Sequence, residues 1–356
     1  MGNALALVKN SNLAEATTLL RKTLSDRDAD SRQPERPAPT PFAIAPAPRA
    51  LGEVLRALQT GRAGLPRTPL APERPAYPDD EKFTSRSYRG PAGSLNYRLY
   101  VPADHATREL ALVLMLHGCT QNPEDFALGT RMNGLADEFG LIVAYPHQPR
   151  SANASGCWNW FDQRHQHRGA GEPAKLAGLA QTLAVEFGIG RGRTFAAGLS
   201  AGGAMAEVLA ATYPDVFDAV GIHSGLPYQA ARDVPSAFAA MKGGAAEPAL
   251  RVVTESECRK IIFHGGADAT VNPINATRIL EHARGAGLKR IDQESEIDGR
   301  RVDRTVLENP AGQSIAELWF VEGAGHAWFG GDSRGTYTES VGPDASRIMV
   351  RFFLKQ

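Results

Sequence analysis

Phe195-Ala196-Ala197-Gly198-Leu199-Ser200-Ala201-Gly202-Gly203 is the stretch that decides the fold. It opens as a short apolar run, centres on a G-x-S-x-G segment, and leads into Ala204–Tyr213, which has helical spacing and stops before Pro214. A strand that delivers a serine into a sharp turn, with a helix starting at once, is the setting of a nucleophile elbow. Small residues are needed around that serine because the turn brings backbones together and holds the serine in a strained φ/ψ.

Outward from this unit, apolar runs alternate with helical patterns. Phe83–Tyr88 and Leu95–Val101 flank Gly90-Pro91-Ala92-Gly93 and predict a hairpin. Strands are predicted at 110–116, 141–145, 194–197, 219–223, 261–264 and 317–321, and helices at 124–139, 173–187, 201–213, 273–284 and 343–354. Buried strands alternating with helices imply an α/β class, with a mostly parallel sheet covered on both faces.

The 356 residues carry 39 Lys+Arg against 39 Asp+Glu, so bulk charge does not direct the chain to nucleic acid. Three cysteines cannot staple a chain of this size into a disulfide scaffold. No apolar run is long enough to span a membrane. Eleven prolines fall between Pro34 and Pro78, which predicts an extended arm over 1–82 ahead of a domain at 83–356. Helical spacing recurs within that arm at 13–24 and 51–58, and two short helices on a proline-rich tether read as a docking arm. Met1–Leu20 lacks the pattern of an export signal, so a cytoplasmic location is expected.

A serine hydroxyl needs a base, and the base needs an acid to hold its tautomer. In the chain order of an elbow enzyme the acid follows the serine and the histidine comes last. Asp268 follows Ile261-Ile262-Phe263-His264 and the turn Gly265-Gly266-Ala267, at a strand's carboxyl end. His326 lies in Gly323-Ala324-Gly325-His326, just past the strand ending at Val321. Asp332 is the reserve acid; Asp215 and Asp218 lie too close to the elbow helix. His223 and His264 are expected to be packed structural histidines, and His165 and His167 to lie in a solvated loop. The oxyanion hole needs two aimed amides, and Ala201 and Cys119 are the candidates, with Thr120 as fallback for the second.

These segments carry a family resemblance. Leu116-His117-Gly118-Cys119-Thr120-Gln121, Cys157-Trp158-Asn159-Trp160-Phe161, Ala197–Gly203, His223-Ser224-Gly225-Leu226-Pro227-Tyr228, His264-Gly265-Gly266-Ala267-Asp268 and Gly325-His326-Ala327-Trp328 resemble the polyhydroxybutyrate depolymerase-type esterases. That branch of the α/β-hydrolases also holds feruloyl and acetyl-xylan esterase-like members. The resemblance covers about Phe83 to Leu354 and implies Ser200 as nucleophile, His326 as base and Asp268 as acid. It further implies Cys119 and Cys157 as a disulfide pair, leaving Cys258 a lone buried thiol. Many relatives begin with a secretion signal, so an extracellular location is the alternative.

The function expected is a metal-free, cofactor-free serine esterase acting on short-chain hydroxyalkanoate esters or oligomers. Feruloyl or acetyl-xylan esters are the alternative substrates, and a granule- or partner-binding protein is the alternative class. Trp160, Trp328, Trp158 and Tyr228 stand beside these motifs and are expected to wall an apolar or aromatic substrate pocket.

Overall fold

The computed structural model describes residues 80–244, 258–283 and 287–355. The helices expected at 13–24 and 51–58, and the proline-rich stretch with them, lie outside these residues. Strands β1 (Phe83–Gly90) and β2 (Gly93–Tyr100) form the antiparallel hairpin. The strands that follow are β3 (Ala111–Leu116), β4 (Leu141–Pro146), β5 (Thr194–Leu199), β6 (Ala219–His223) and β7 (Arg259–Gly265), then β8 (Lys289–Ile297), β9 (Arg300–Glu308) and β10 (Ser314–Val321). They make one ten-stranded sheet of order β1-β2-β4-β3-β5-β6-β7-β10-β9-β8. The run from β4 to β10 is parallel throughout, and antiparallel hairpins extend both edges.

Strand periodicity divides the core into two layers. On β3, Leu112, Leu114 and Leu116 enter one apolar cluster, while Ala111, Val113 and Met115 enter the other. The helices are α1 (Pro123–Thr130), α2 (Met132–Phe139), α3 (Gly171–Glu186), α4 (Ala201–Thr212), α5 (Val234–Met241), α6 (Ile274–His282) and α7 (Ala345–Leu354). Residues of α3, α4, α5 and α6 fill the first cluster, and residues of α1, α2 and α7 fill the second. With both faces covered, β3 and β4 carry apolar side chains at every position, which is why they read as continuous runs.

Besides α5, which no expected helix covers, two features differ from expectation. The helix predicted over 124–139 is two helices, separated at Arg131, which adopts φ 54° and caps α1 through its amide on Leu128 O. Gly129 and Gly134 weaken a continuous helix there, and a Cβ on Gly129 would stand 2.7 Å from the Thr338 methyl. The hairpin β8–β9 is the second surprise. Strand β8 is Lys289-Arg290-Ile291-Asp292-Gln293-Glu294-Ser295-Glu296-Ile297, exposed along nearly its whole length, so no apolar alternation marks it as a strand. Its charges suit the outermost position, where they discourage pairing with another chain.

Candidate active site

Ser200 stands between β5 and α4 with φ 58° and ψ −117°, a backbone region that non-glycine residues rarely visit. Its amide donates to His223 O at 2.9 Å, which ties the turn to the neighbouring strand β6. The flanking glycines are sterically obligatory. A Cβ on Gly202 would lie 2.0 Å from Leu116 O, and one on Gly198 would lie 2.3 Å from the Gly202 carbonyl carbon. The serine is largely buried, and its hydroxyl is carried at the carboxyl edge of the sheet.

Asp268 and His326 meet at the same edge. Strands β7 and β10 are parallel neighbours, with Gly265 opposite Val321, so the loops that follow them emerge side by side. His326 Nδ1 donates to Asp268 Oδ2 at 2.7 Å. The other carboxylate oxygen, Oδ1, accepts the Thr270 and Val271 amides, each at 2.8 Å. Burial pushes the Asp268 pKa upward, but the hydrogen bond and charge of His326, the Val271 amide and His264 outweigh it, and the net shift is downward. Asp268 is therefore an anion suited to hold an imidazole in one tautomer. Asp332 is engaged elsewhere, since its carboxylate binds the Arg334 guanidinium at 2.6 Å.

The loop after β3 carries Cys119 and Thr120, and the other candidate oxyanion amide, Ala201, opens α4. The Thr120 amide donates to Ser155 O at 2.8 Å, which removes Thr120 as a fallback. Among the described residues neither the Cys119 nor the Ala201 amide has a protein acceptor. Four contacts fix the loop. His117 Nδ1 donates to Gly118 O at 2.8 Å, and His117 Nε2 accepts the Gln148 amide at 3.2 Å. Gln121 Oε1 accepts the Gly118 amide at 2.9 Å, and Cys119 is disulfide-bonded to Cys157. Burial pushes the His117 pKa down to about 4, so the ring is neutral and can accept at Nε2.

Comparison with known proteins identifies the lineage. The family described as "Esterase PHB depolymerase" matches residues 95–292, more than half of the chain. The chain belongs to this family. It is 29% identical over 246 residues to poly(3-hydroxyalkanoate) depolymerase C of Paucimonas lemoignei, a match covering 66% of this chain and 58% of that protein. A probable acetylxylan esterase A of Aspergillus fumigatus is 30% identical over 201 residues, covering 52% of this chain and 53% of the relative. Feruloyl esterase B of Neurospora crassa is 27% identical over 270 residues, covering 71% and 86%. The chain thus spans little more than half the length of the first two relatives. Among solved structures, an acetyl xylan esterase from Aspergillus awamori superposes with a TM-score of 0.55 at 20% identity, covering 68% of this chain and 94% of that one. The likeness establishes the α/β-hydrolase fold.

Within this family fold the three tryptophans expected to wall a substrate pocket present almost no surface. Trp328 and Trp158 have no exposed surface, and Trp160 is 5% exposed. Trp328 donates from Nε1 to Ser346 Oγ at 3.0 Å and stacks on His223 at 5.0 Å between centroids. Trp158 donates to His117 O at 3.1 Å, so both rings are posts under the loops. The Tyr228 hydroxyl donates to Gln166 O at 2.6 Å. An aromatic residue beside His326 is Tyr337, with 6.4 Å between the ring centroids. Nothing in Gly335-Thr336-Tyr337-Thr338 marks it, because no motif or periodicity singles out one residue of an irregular loop.

His223, His264 and His165 bind backbone. His223 Nε2 accepts the Phe329 amide at 3.2 Å, and burial lowers its pKa. His264 Nε2 donates to Val271 O at 2.9 Å. His165, expected in a solvated loop, is half-buried and accepts the Glu172 amide at Nδ1 at 3.0 Å, whereas His167 is exposed. Among the described residues no group of three or more His, Cys, Asp or Glu is arranged to hold a metal ion.

Proposed function

We propose that the chain is a serine carboxylic-ester hydrolase with Ser200 as nucleophile, His326 as general base and Asp268 as the group that orients the base. The 2.7 Å hydrogen bond between His326 Nδ1 and the buried Asp268 carboxylate, at the sheet edge that carries Ser200, is the observation behind it. With Nδ1 held as a donor, the imidazole presents Nε2 as the proton acceptor. Nε2 takes the Ser200 proton as the hydroxyl attacks the ester carbonyl. The oxyanion that forms is stabilised by the Ala201 and Cys119 amides, a single such donor being worth ~10²–10³ in rate. The imidazolium returns its proton to the leaving alcohol, and water then releases the acyl group by the same steps in reverse.

Short-chain 3-hydroxyalkanoate esters and oligomers are the proposed substrates, supported by the likeness to the poly(3-hydroxyalkanoate) depolymerase. Acylated carbohydrate is the second reading, supported by the acetylxylan and feruloyl esterase relatives. The Cys119–Cys157 disulfide favours action in an oxidising compartment. Ser200→Ala should abolish hydrolysis of p-nitrophenyl butyrate with the far-ultraviolet circular dichroism unchanged. Near-wild-type turnover in that variant would overturn the assignment. Side-by-side rates on hydroxybutyrate oligomers, methyl ferulate and acetylated xylan decide the substrate class.

A further inference from the structure

A bulky side chain at positive φ is an outlier, because Cβ crowds the backbone there. Tyr337 adopts φ 51°. Its surroundings fix it in that state. The Tyr337 carbonyl accepts the Trp328 amide at 2.7 Å, and the next residue, Thr338, pairs with Trp328 in the short parallel ladder of β11 (Trp328–Phe329) and β12 (Thr338–Glu339). On the other side the Thr336 amide donates to Asp125 Oδ1 at 3.0 Å, and Thr336 O accepts Gln121 Nε2 at 2.9 Å. Glycine or asparagine would occupy this position with less strain, so the fold keeps a tyrosine at a conformational cost, a pattern that marks functional positions.

Its side chain spans two walls of the candidate site. The hydroxyl lies 3.3 Å from Thr120 Oγ1, beside the loop that presents the Cys119 amide. Thr120 Oγ1 donates its own proton to Cys119 O at 2.6 Å, so Tyr337 is the donor in their contact. The ring meets the His326 imidazole edge-on, at an interplanar angle of 79°. Tyr337 is half-buried, so part of it faces solvent.

Resting on the triad proposed above, the geometry points to Tyr337 as a specificity-determining residue that contacts the alcohol half of the ester. His326 hands its proton to the departing alcohol oxygen, so a ring against the imidazole lies along that half. The apolar ring packs on the alcohol's carbon chain, and the hydroxyl turns from Thr120 to donate to an oxygen on that chain. The alcohols favoured are therefore those carrying a carbonyl or hydroxyl oxygen a few atoms beyond the scissile ester.

The test compares kcat/KM for two butyrate esters, ethyl butyrate and methyl 3-(butyryloxy)butyrate, which share an acyl group and differ in the alcohol. Wild type should prefer the second, and Tyr337→Phe should lower that preference about 3- to 10-fold, the worth of one neutral hydrogen bond. Tyr337→Asn, which tolerates positive φ and removes the ring as well, should lower it further. A preference unchanged in both variants, even with both rates reduced equally, would overturn the inference, as would a wild type without the preference. Failure of the triad is seen separately, as retained hydrolysis of both esters by Ser200→Ala.

Discussion

Replacing both Cys119 and Cys157 by serine should destabilise the domain far more than it slows turnover. The bridge closes a loop with a sequence separation of 38 residues. Loop-closure entropy for that length gives about 4 kcal/mol of stabilisation, acting through the unfolded chain. That is a large share of the ~5–15 kcal/mol by which domains are stable. The effect on chemistry should be smaller, because the Cys119 amide is not aimed by the bridge alone. His117 Nδ1 on Gly118 O at 2.8 Å, Gln121 Oε1 on the Gly118 amide at 2.9 Å and the Thr120 amide on Ser155 O at 2.8 Å all remain. Loss of an oxyanion donor outright would cost ~10²–10³ in rate, so retention of the loop predicts a fall of less than about tenfold. Removing both thiols also prevents mispairing with Cys258, which is buried and free. Urea unfolding under non-reducing conditions gives the stability, and initial rates on p-nitrophenyl butyrate give the activity. A stability loss below about 1 kcal/mol would refute the entropic reasoning. A rate collapse of about a hundredfold in folded protein would show instead that the bridge itself sets the amide.

Other outcomes follow from the same contacts. Asp268→Asn should lower kcat about 10⁴-fold, since the amide cannot hold the imidazole in the required tautomer, whereas Asp332→Asn should stay near wild type because that carboxylate serves Arg334. Steady-state rates of the two variants decide between them, and equal losses would return Asp332 to candidacy. Stability should also fall in mild acid. Burial pushes the His117 pKa down to about 4 in the folded protein, against about 6.5 in the unfolded chain. A depressed base favours proton binding by the unfolded chain, so this contribution is complete above about pH 6.5 and is lost as pH falls toward about 4, by about 3 kcal/mol. Burial shifts His223 and His264 in the same direction. Urea midpoints at pH 7.5 and pH 4.5 measure the effect, and a His117→Gln variant with the same pH dependence as wild type would remove His117 as a contributor.

The elbow, the parallel core and the positions of Asp268 and His326 were legible because each leaves a local signature. Buried strands are continuous apolar runs, and the glycines at 198 and 202 answer a clash that any side chain would make. The edge hairpin was not legible, since a strand exposed on both faces has no alternation to detect. The tryptophans misled for a related reason. Proximity in sequence to a reactive motif does not say which way a ring points, and Trp158 and Trp328 turn inward to support loops through their indole N–H groups. Tyr337 was invisible because its importance arises from contacts with Thr120, 217 residues away, and with His326.

The adjacency of β7 and β10 separates distance along the chain from distance in space. Asp268 and His326 are 58 residues apart, yet each follows its strand by only a few residues, and the strands are in direct register. The intervening chain runs out to the far edge of the sheet as β8 and β9 before β10 returns it. Strand β9 stays tied to the segment that carries His326, since Arg301 O accepts the Glu322 amide at 2.9 Å and Arg300 pairs with Glu339, whereas the outermost strand β8 is exposed along nearly its whole length. The outermost strand β8, at the sheet's edge, is a place where this scaffold can vary its surface without moving the atoms that would do the chemistry.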